Sequence, residues 1–270
     1  MIDAHTHLDA CGATSPAGVR AALDRAAAVG VRAVVTVADD MTAARWVVQA
    51  SGWDDRVFAA VALHPTRTAR MTDADRAELE QLARHPRVVA VGETGLDYYW
   101  TQVNPDCPPP EVQRQAYRWH IDLAKRVSKP LMIHDRDAHG DVLAVLKQEG
   151  PPRTVVFHCF SGDATMARAC VDAGYVLSFS GTVTFRNARA LREAAMLVPD
   201  EQLLVETDAP FLTPHPHRGR ANEPVNLPYT VRDLATLRGQ DVAELAASSS
   251  ATAERVFGLR RPPGFKHSRM

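Results

Sequence analysis

Short apolar runs alternate along the chain with longer stretches of helical period. The runs are 2–5, 31–38, 57–63, 88–92, 130–134, 154–158, 175–181 and 202–208. They are rich in Val, Ile and Leu and nearly continuous in apolar character, as strands buried on both faces should be. Between them, residues 17–29, 42–51, 73–84, 111–127, 140–149, 164–173 and 188–197 show helical spacing, and 229–237 and 242–257 close the chain. Within 111–127, Tyr117, Ile121 and Ala124 fall on one helical face. Thr72 before Asp73 and Pro110 before Glu111 are helix-start signals.

Strand–helix alternation implies parallel pairing with right-handed crossovers. Eight such units predict an α/β fold of the (β/α)8 TIM-barrel type. A doubly wound sheet is the alternative, but no glycine-rich phosphate loop follows any strand. Residues 1–258 contain no clear linker and are expected to form one domain. Residues 259–270 read as a flexible, basic C-terminal tail.

Composition narrows the function classes. Of 270 residues, 46% are hydrophobic and 23% charged, which excludes wholesale disorder. Lys plus Arg is 31 against 32 for Asp plus Glu, a net charge of −1. A protein that coats a long polyanion carries a basic surplus, so any nucleic-acid contact here should be local. No run approaches the roughly 18 apolar residues of a membrane span, and the start MIDAHTHLDA is no signal peptide. Cys11, Cys107, Cys159 and Cys170 show no C-x-x-C spacing, which fits a reduced, cytoplasmic protein in which they fill space.

In a barrel of this kind, reactive groups sit at the C-terminal ends of strands. The first run ends in His5-Thr6-His7, and residues i and i+2 of a strand share a face. The fourth ends in Gly92-Glu93, the fifth in His134, the sixth in His158 and the eighth in Glu206-Thr207-Asp208. Each alone has an ordinary structural reading: a rim salt bridge, a hydrogen-bonded core histidine, a turn aspartate. Together, four imidazoles and two carboxylates at one mouth suit one or two borderline divalent ions such as Zn2+, Mn2+ or Ni2+. Glu93 is placed to bridge two of them. The third run ends in His64, and Arg136, Arg218 and Arg220 are candidate phosphate contacts. Glu206 is expected to support the ligands from behind. Tyr98, Tyr99 and Trp100 could stack on bases, or pack beneath the mouth.

Seven collinear segments resemble the TatD family of metal-dependent hydrolases: IDAHTHLD (2–9), VGETGLDYY (91–99), IHDRDA (133–138), FHCFSG (157–162), SFSGTVTF (178–185), ETDAPFLTP (206–214) and RGRANEP (218–224). The resemblance implies a TIM barrel with two divalent ions (Mg2+, Mn2+, Zn2+ or Ni2+). It implies a deoxyribonuclease, a 3'-5' exonuclease on single-stranded DNA and in some members RNA, with the attacking water activated between the ions. Carried across, His5, His7, Glu93 and Asp208 would hold one ion and Glu93, His134 and His158 the other. Asp208 and Glu93 would be the catalytic carboxylates; His64, Arg136 and Arg218 would meet the phosphate. The expected partner is a nucleic-acid substrate, met by a monomer away from any membrane. A metal-dependent ester or amide hydrolase, such as a D-aminoacyl-tRNA deacylase, is the alternative.

Three departures from the family pattern stand out. Thr66 replaces the second His of H-P-H. Thr252 replaces an Asn in the last helix. The loop 100–110 is long and could serve as a lid.

Overall fold

In the computed structural model, residues 1–259 are described. Eight parallel strands lie in sequential order: β1 (Ile2–Thr6), β2 (Ala33–Val37), β3 (Val57–Val61), β4 (Val88–Asp97), β5 (Leu131–Arg136), β6 (Val155–Phe157), β7 (Val176–Phe179) and β8 (Leu203–Val205). The ring is completed just beyond β8. His5 O accepts from Asp208 N–H at 2.9 Å, and His7 N–H donates to Ala209 O at 2.8 Å. Asp3 adds a side-chain clasp, accepting from Thr207 N–H at 2.9 Å and Thr207 Oγ1 at 2.6 Å.

All the predicted helical stretches are helices: α1 (Pro16–Ala28), α2 (Met41–Ala50), α3 (Asp73–Ala83), α5 (Pro110–Val127), α6 (His139–Glu149), α7 (Ala164–Asp172), α8 (Arg189–Leu197), α9 (Leu227–Arg238) and α10 (Val242–Phe257). The Thr72 signal is a full capping box with Asp75. A further helix, α4 (Tyr98–Val103), occupies part of the stretch 100–110 read above as a loop. Asp97 caps it, its side chain accepting from Trp100 N–H at 2.8 Å. The tail beyond residue 259 lies outside the described residues.

The two faces of each strand do different things. Val34, Ala59, Val91 and Ile133 pack outward with helix residues such as Val47, Leu79 and Ile121. Ile2, Ala4, Ala33, Val35, Ala60, Ala90, Met132, Val156 and Leu204 fill the interior, joined by Val256 and Phe257 of α10. Burying these side chains supplies most of the driving force, at roughly 25 cal/mol per Å2 of apolar surface. This apolar filling lies toward the N-terminal ends, so the polar side chains of the strands gather at the opposite mouth. Thr252 Oγ1 donates to Asp200 O at 3.0 Å and ties α10 to the turn before β8.

β4 differs from the sequence reading, which ended it at 92. It runs to Asp97, so Glu93 lies inside the strand and not at its end. From Val91 to Thr94 it advances three residues while β5 advances two, from Leu131 to Ile133. That extra residue is a bulge, and bulges re-aim side chains next to active sites. Gly95, at φ +143°, lies against His134, where a Cβ would stand 2.0 Å from His134 O. Only glycine lets β4 pass β5 so closely there. No helix among the described residues is long and apolar enough to cross a membrane.

Candidate metal centre

Four donor atoms converge at the junction of β1, β4 and the segment after β8. His5 Nε2 and His7 Nε2 are 3.2 Å apart. Glu93 Oε1 lies 3.7 and 3.5 Å from them, and Asp208 Oδ1 lies 3.6 Å from each. A tetrahedral ion with ligands at about 2.1 Å has ligand–ligand edges of about 3.4 Å. The three edges of the His5, His7 and Glu93 set and the two from Asp208 to the histidines, 3.2 to 3.7 Å, bracket that value.

The tautomers support the same reading. His7 Nδ1 is 2.9 Å from Val37 O, a group that only accepts, so Nδ1 carries the proton and Nε2 a lone pair. His5 Nδ1 faces the thioether of Met132 at 3.2 Å, which likewise leaves Nε2 free. Two lone pairs and two carboxylate oxygens thus point at one buried spot. That set calls for a positive charge at its centre, and with no ion bound a proton on His7 Nε2 takes that place. Burial opposes charging of His7, but Asp208, Glu93 and Asp39 outweigh it and raise its pKa to about 9. Burial and His158 hold His5 below its ordinary value.

A second set lies beside the first. His134 Nδ1 is 3.4 Å and His158 Nε2 2.7 Å from Glu93 Oε2, and the two nitrogens are 3.3 Å apart. His134 turns its Nε2 to Asp97 Oδ2 at 3.0 Å. His158 Nδ1 lies 3.3 Å from Glu206 Oε1 without hydrogen-bond alignment. Carboxylate-backed imidazoles are oriented and made more basic, the arrangement seen behind metal-ligating histidines. Burial would raise the pKa of Glu93, yet His158, His5 and His134 hold it well below the carboxylate range. Burial likewise works against Asp208, and His7, His5 and His158 keep it low. The His5 and His158 rings stack at 3.9 Å between centroids, joining the two sets.

His64 stands at the edge of the second set, its ring 4.3 Å from that of His134. Its Nδ1 accepts from Thr66 N–H at 3.3 Å and lies 2.7 Å from Thr66 Oγ1. A backbone N–H can only donate, so the proton of neutral His64 sits on Nε2. Burial and His134 lower its pKa to about 3, which keeps the ring neutral. His64 is therefore suited to donate a hydrogen bond to an anion. The backbone N–H of residue 66 fixes this tautomer, and the hydroxyl of Thr66, a departure from the family pattern, adds a contact at the same nitrogen.

The structure thus brings His5, His7, Glu93, His134, His158 and Asp208 together, with His64 beside them. It does not draw Arg136 or Arg218 inward. Both are exposed, Arg136 lying 3.8 Å over the Tyr99 ring and Arg218 3.9 Å over Phe185. Tyr98 is an anchor rather than a stacking surface, since its hydroxyl donates to Asp141 at 2.6 Å. Glu206 is fully buried behind His158, accepting from Cys159 N–H and Ser178 Oγ.

Asp97 was missed as a partner of His134. Its signal was an acidic residue before YYWTQV, a helix-cap pattern. Gln113 was missed too. Its Oε1 accepts from Asp97 N–H at 2.8 Å and its Nε2 donates to Asp97 O at 3.2 Å, so α5 fixes the Asp97 backbone. Nothing in the sequence announces that contact.

The TatD related DNase family model matches residues 2–258. The uncharacterized metal-dependent hydrolase TatD of Mycobacterium tuberculosis is 65% identical over 259 residues, 96% of this chain and 98% of that one. The 3'-5' ssDNA/RNA exonuclease TatD of Erwinia tasmaniensis is 36% identical over 211 residues, 76% of this chain and 80% of that one. The crystal structure of YJJV, a TatD homologue from Escherichia coli K12, superimposes with a TM-score of 0.85 at 30% identity, covering 96% and 98% of the two chains. A match over nearly the whole chain, on the same eight-stranded barrel, places it: this protein belongs to the TatD family of metal-dependent hydrolases.

Proposed function

We propose that this chain hydrolyses phosphodiester bonds in single-stranded nucleic acid, removing nucleotides from the 3' end with two divalent ions. The observation that carries the reading is Glu93. One of its oxygens faces His5 and His7, and the other faces His134 and His158. A carboxylate shared in this way suits a two-ion pocket, an arrangement used for displacement at phosphorus. The exonuclease name carried by the Erwinia relative points the same way.

In this reading His5, His7 and Asp208 would hold one ion and His134 and His158 the other, with Glu93 contributing to each. When bound, such ions polarise phosphoryl oxygens and make water acidic enough to attack at neutral pH. The chain's own groups do the rest. His64 Nε2–H donates to a non-bridging phosphate oxygen. Asp208 orients the attacking water and accepts its proton, although a ligating carboxylate is a weak base and orientation is its larger contribution. Asp97 and Glu206 hold His134 and His158 in place. All these donors come from one chain, so a monomer suffices.

The test is release of mononucleotides from a 5'-labelled single-stranded DNA, with EDTA and with added Mg2+, Mn2+, Zn2+ or Ni2+. A metal-dependent ladder shrinking from the 3' end is expected. His158→Ala and Asp208→Asn should abolish it while the circular-dichroism melt persists. No cleavage by protein shown to contain metal would turn the reading to ester or amide hydrolysis, with aminoacyl-tRNA tested next.

A further inference from the structure

Among the described residues, the exposed aromatic side chains are Tyr99, Trp100 and Phe211. All three follow the C-terminal ends of barrel strands, around the mouth that holds the histidines. Scattered exposed apolar residues are ordinary on any surface. Val29, Met196, Leu197 and Val242 are of that kind, on or beside outer helices. Confinement of every exposed aromatic to one rim is not.

Phe211 is the most exposed of them at 57%, and its ring centroid lies 6.0 Å from that of His7. Its backbone is pinned on both sides. Phe211 N–H donates to Asp208 O at 2.9 Å, and Phe211 O accepts from Asn222 Nδ2 at 2.8 Å. Asn222 is itself buried and also donates to Thr207 O at 2.9 Å. A rigid main chain therefore presents a bare aromatic ring next to the donor cluster. Such a ring loses little freedom when something stacks on it.

The rest of the rim has a matching character. The guanidinium of Arg136 lies over Tyr99, and that of Arg218 over Phe185. An Arg plane resting on a ring keeps its charge and its N–H donors available to an anion. Aromatic platforms beside basic groups are how proteins hold unpaired strands, and stacking accepts any base because every base has a π face.

We propose that Phe211 is a stacking seat for the unpaired base at the 3' end of the strand, with Tyr99 and Trp100 serving bases further along. The seat makes the site select single strands over duplexes, whose bases are already stacked, without regard to sequence. This deepens the function proposed above and rests on it for the phosphodiester.

The test is a two-by-two comparison. One axis is wild type against Phe211→Ala. The other is a 5'-labelled single-stranded oligonucleotide ending in a normal or an abasic 3' nucleotide. The last linkage is a non-hydrolysable methylenephosphonate, so that binding is read by anisotropy. Phe211→Ala should weaken binding of the normal strand about 5- to 150-fold, the range of one base–aromatic stack. The abasic strand should bind wild type as weakly, and the two losses should not add. Phe211→Tyr should restore affinity.

Equal effects of Phe211→Ala on both strands, or none on either, would overturn the seat. Hydrolysis of the all-phosphodiester strand is scored separately. Hydrolysis with additive losses removes the seat and leaves the nuclease reading. Non-additive binding with no hydrolysis in any metal does the reverse.

Discussion

The two halves of the donor cluster share Glu93 but are supported differently. In the half built by β1 and the segment after β8, His5 and His7 are backed by weak or neutral acceptors, the Met132 thioether and Val37 O. In the half built by β5 and β6, His134 and His158 are backed by the carboxylates of Asp97 and Glu206. The first half gathers four donor atoms and the second three, with one Glu93 oxygen counted in each. A fuller set with neutral support should hold its ion by ligand number. The sparser set, with anionic support, should depend on the charge behind it. In the two-ion reading, the two positions differ in affinity through ligand number and also through the charge that stands behind the ligands.

Three substitutions probe this contrast, in falling order of effect. Glu93→Gln removes the shared donor and should damage both positions. Its loss of activity should exceed the roughly 10–100-fold that removal of an outer partner costs. Metal content by elemental analysis should fall from two ions per chain to one or fewer. Retention of two ions would show that the halves are independent.

Asp97→Asn keeps a side chain of the same shape but removes the charge behind His134. Metal affinity at the second position should drop about 10–100-fold, with the first little changed. A titration followed by calorimetry should then resolve two steps where wild type shows them closer together. Equal weakening of both steps would break the comparison.

Met132→Leu is the mildest change. Leu and Met are close in volume, so the melt should shift by less than about 1.5 kcal/mol in stability. His5 loses only a weak sulfur acceptor, and first-position affinity should fall by less than about 10-fold, below the range for a carboxylate partner. A loss as large as that of Asp97→Asn would mean that the thioether does more than the comparison allows.

A separate prediction concerns acid. Buried His120 donates from Nδ1 to Ala116 O and accepts Leu63 N–H on Nε2, so the fold holds it neutral. Burial lowers its pKa to about 4. The unfolded chain binds that proton near pH 6.5, so the stability it contributes is complete above 6.5 and lost as pH falls toward 4. The loss should reach about 3 kcal/mol. His120→Gln in EDTA should flatten this limb of the stability curve.

Much of the fold was legible in the residue pattern. Short apolar runs alternating with helical periods read as parallel strands joined by helical crossovers. The positions of His5, His7, His134, His158 and Asp208 followed, because strand ends in a barrel share a mouth. The bulge in β4 was not legible. Its apolar run stops at Gly92 and the strand was read as ending in Gly92-Glu93, although it runs on through the polar residues Thr94 and Asp97. They are buried because β5 and α5 cover them. The same cause hid Asp97 and Gln113, whose roles exist only through residues distant in sequence. Arg136 and Arg218 were read from charge and place in the chain, which do not show that Tyr99 and Phe185 lie beneath their guanidiniums.

The sequence by itself determined which chemical groups this protein has at its mouth and that a barrel would assemble them. Periodicity and the i, i+2 rule are local, and they carry that much. Only the tertiary structure decided which nitrogen of each imidazole faces inward, which oxygen of Glu93 serves which half, and which rings remain bare. Those follow from the hydrogen bonds of Val37, Met132, Asp97, Thr66 and Asn222, partners fixed by packing and not by neighbouring residues in the chain.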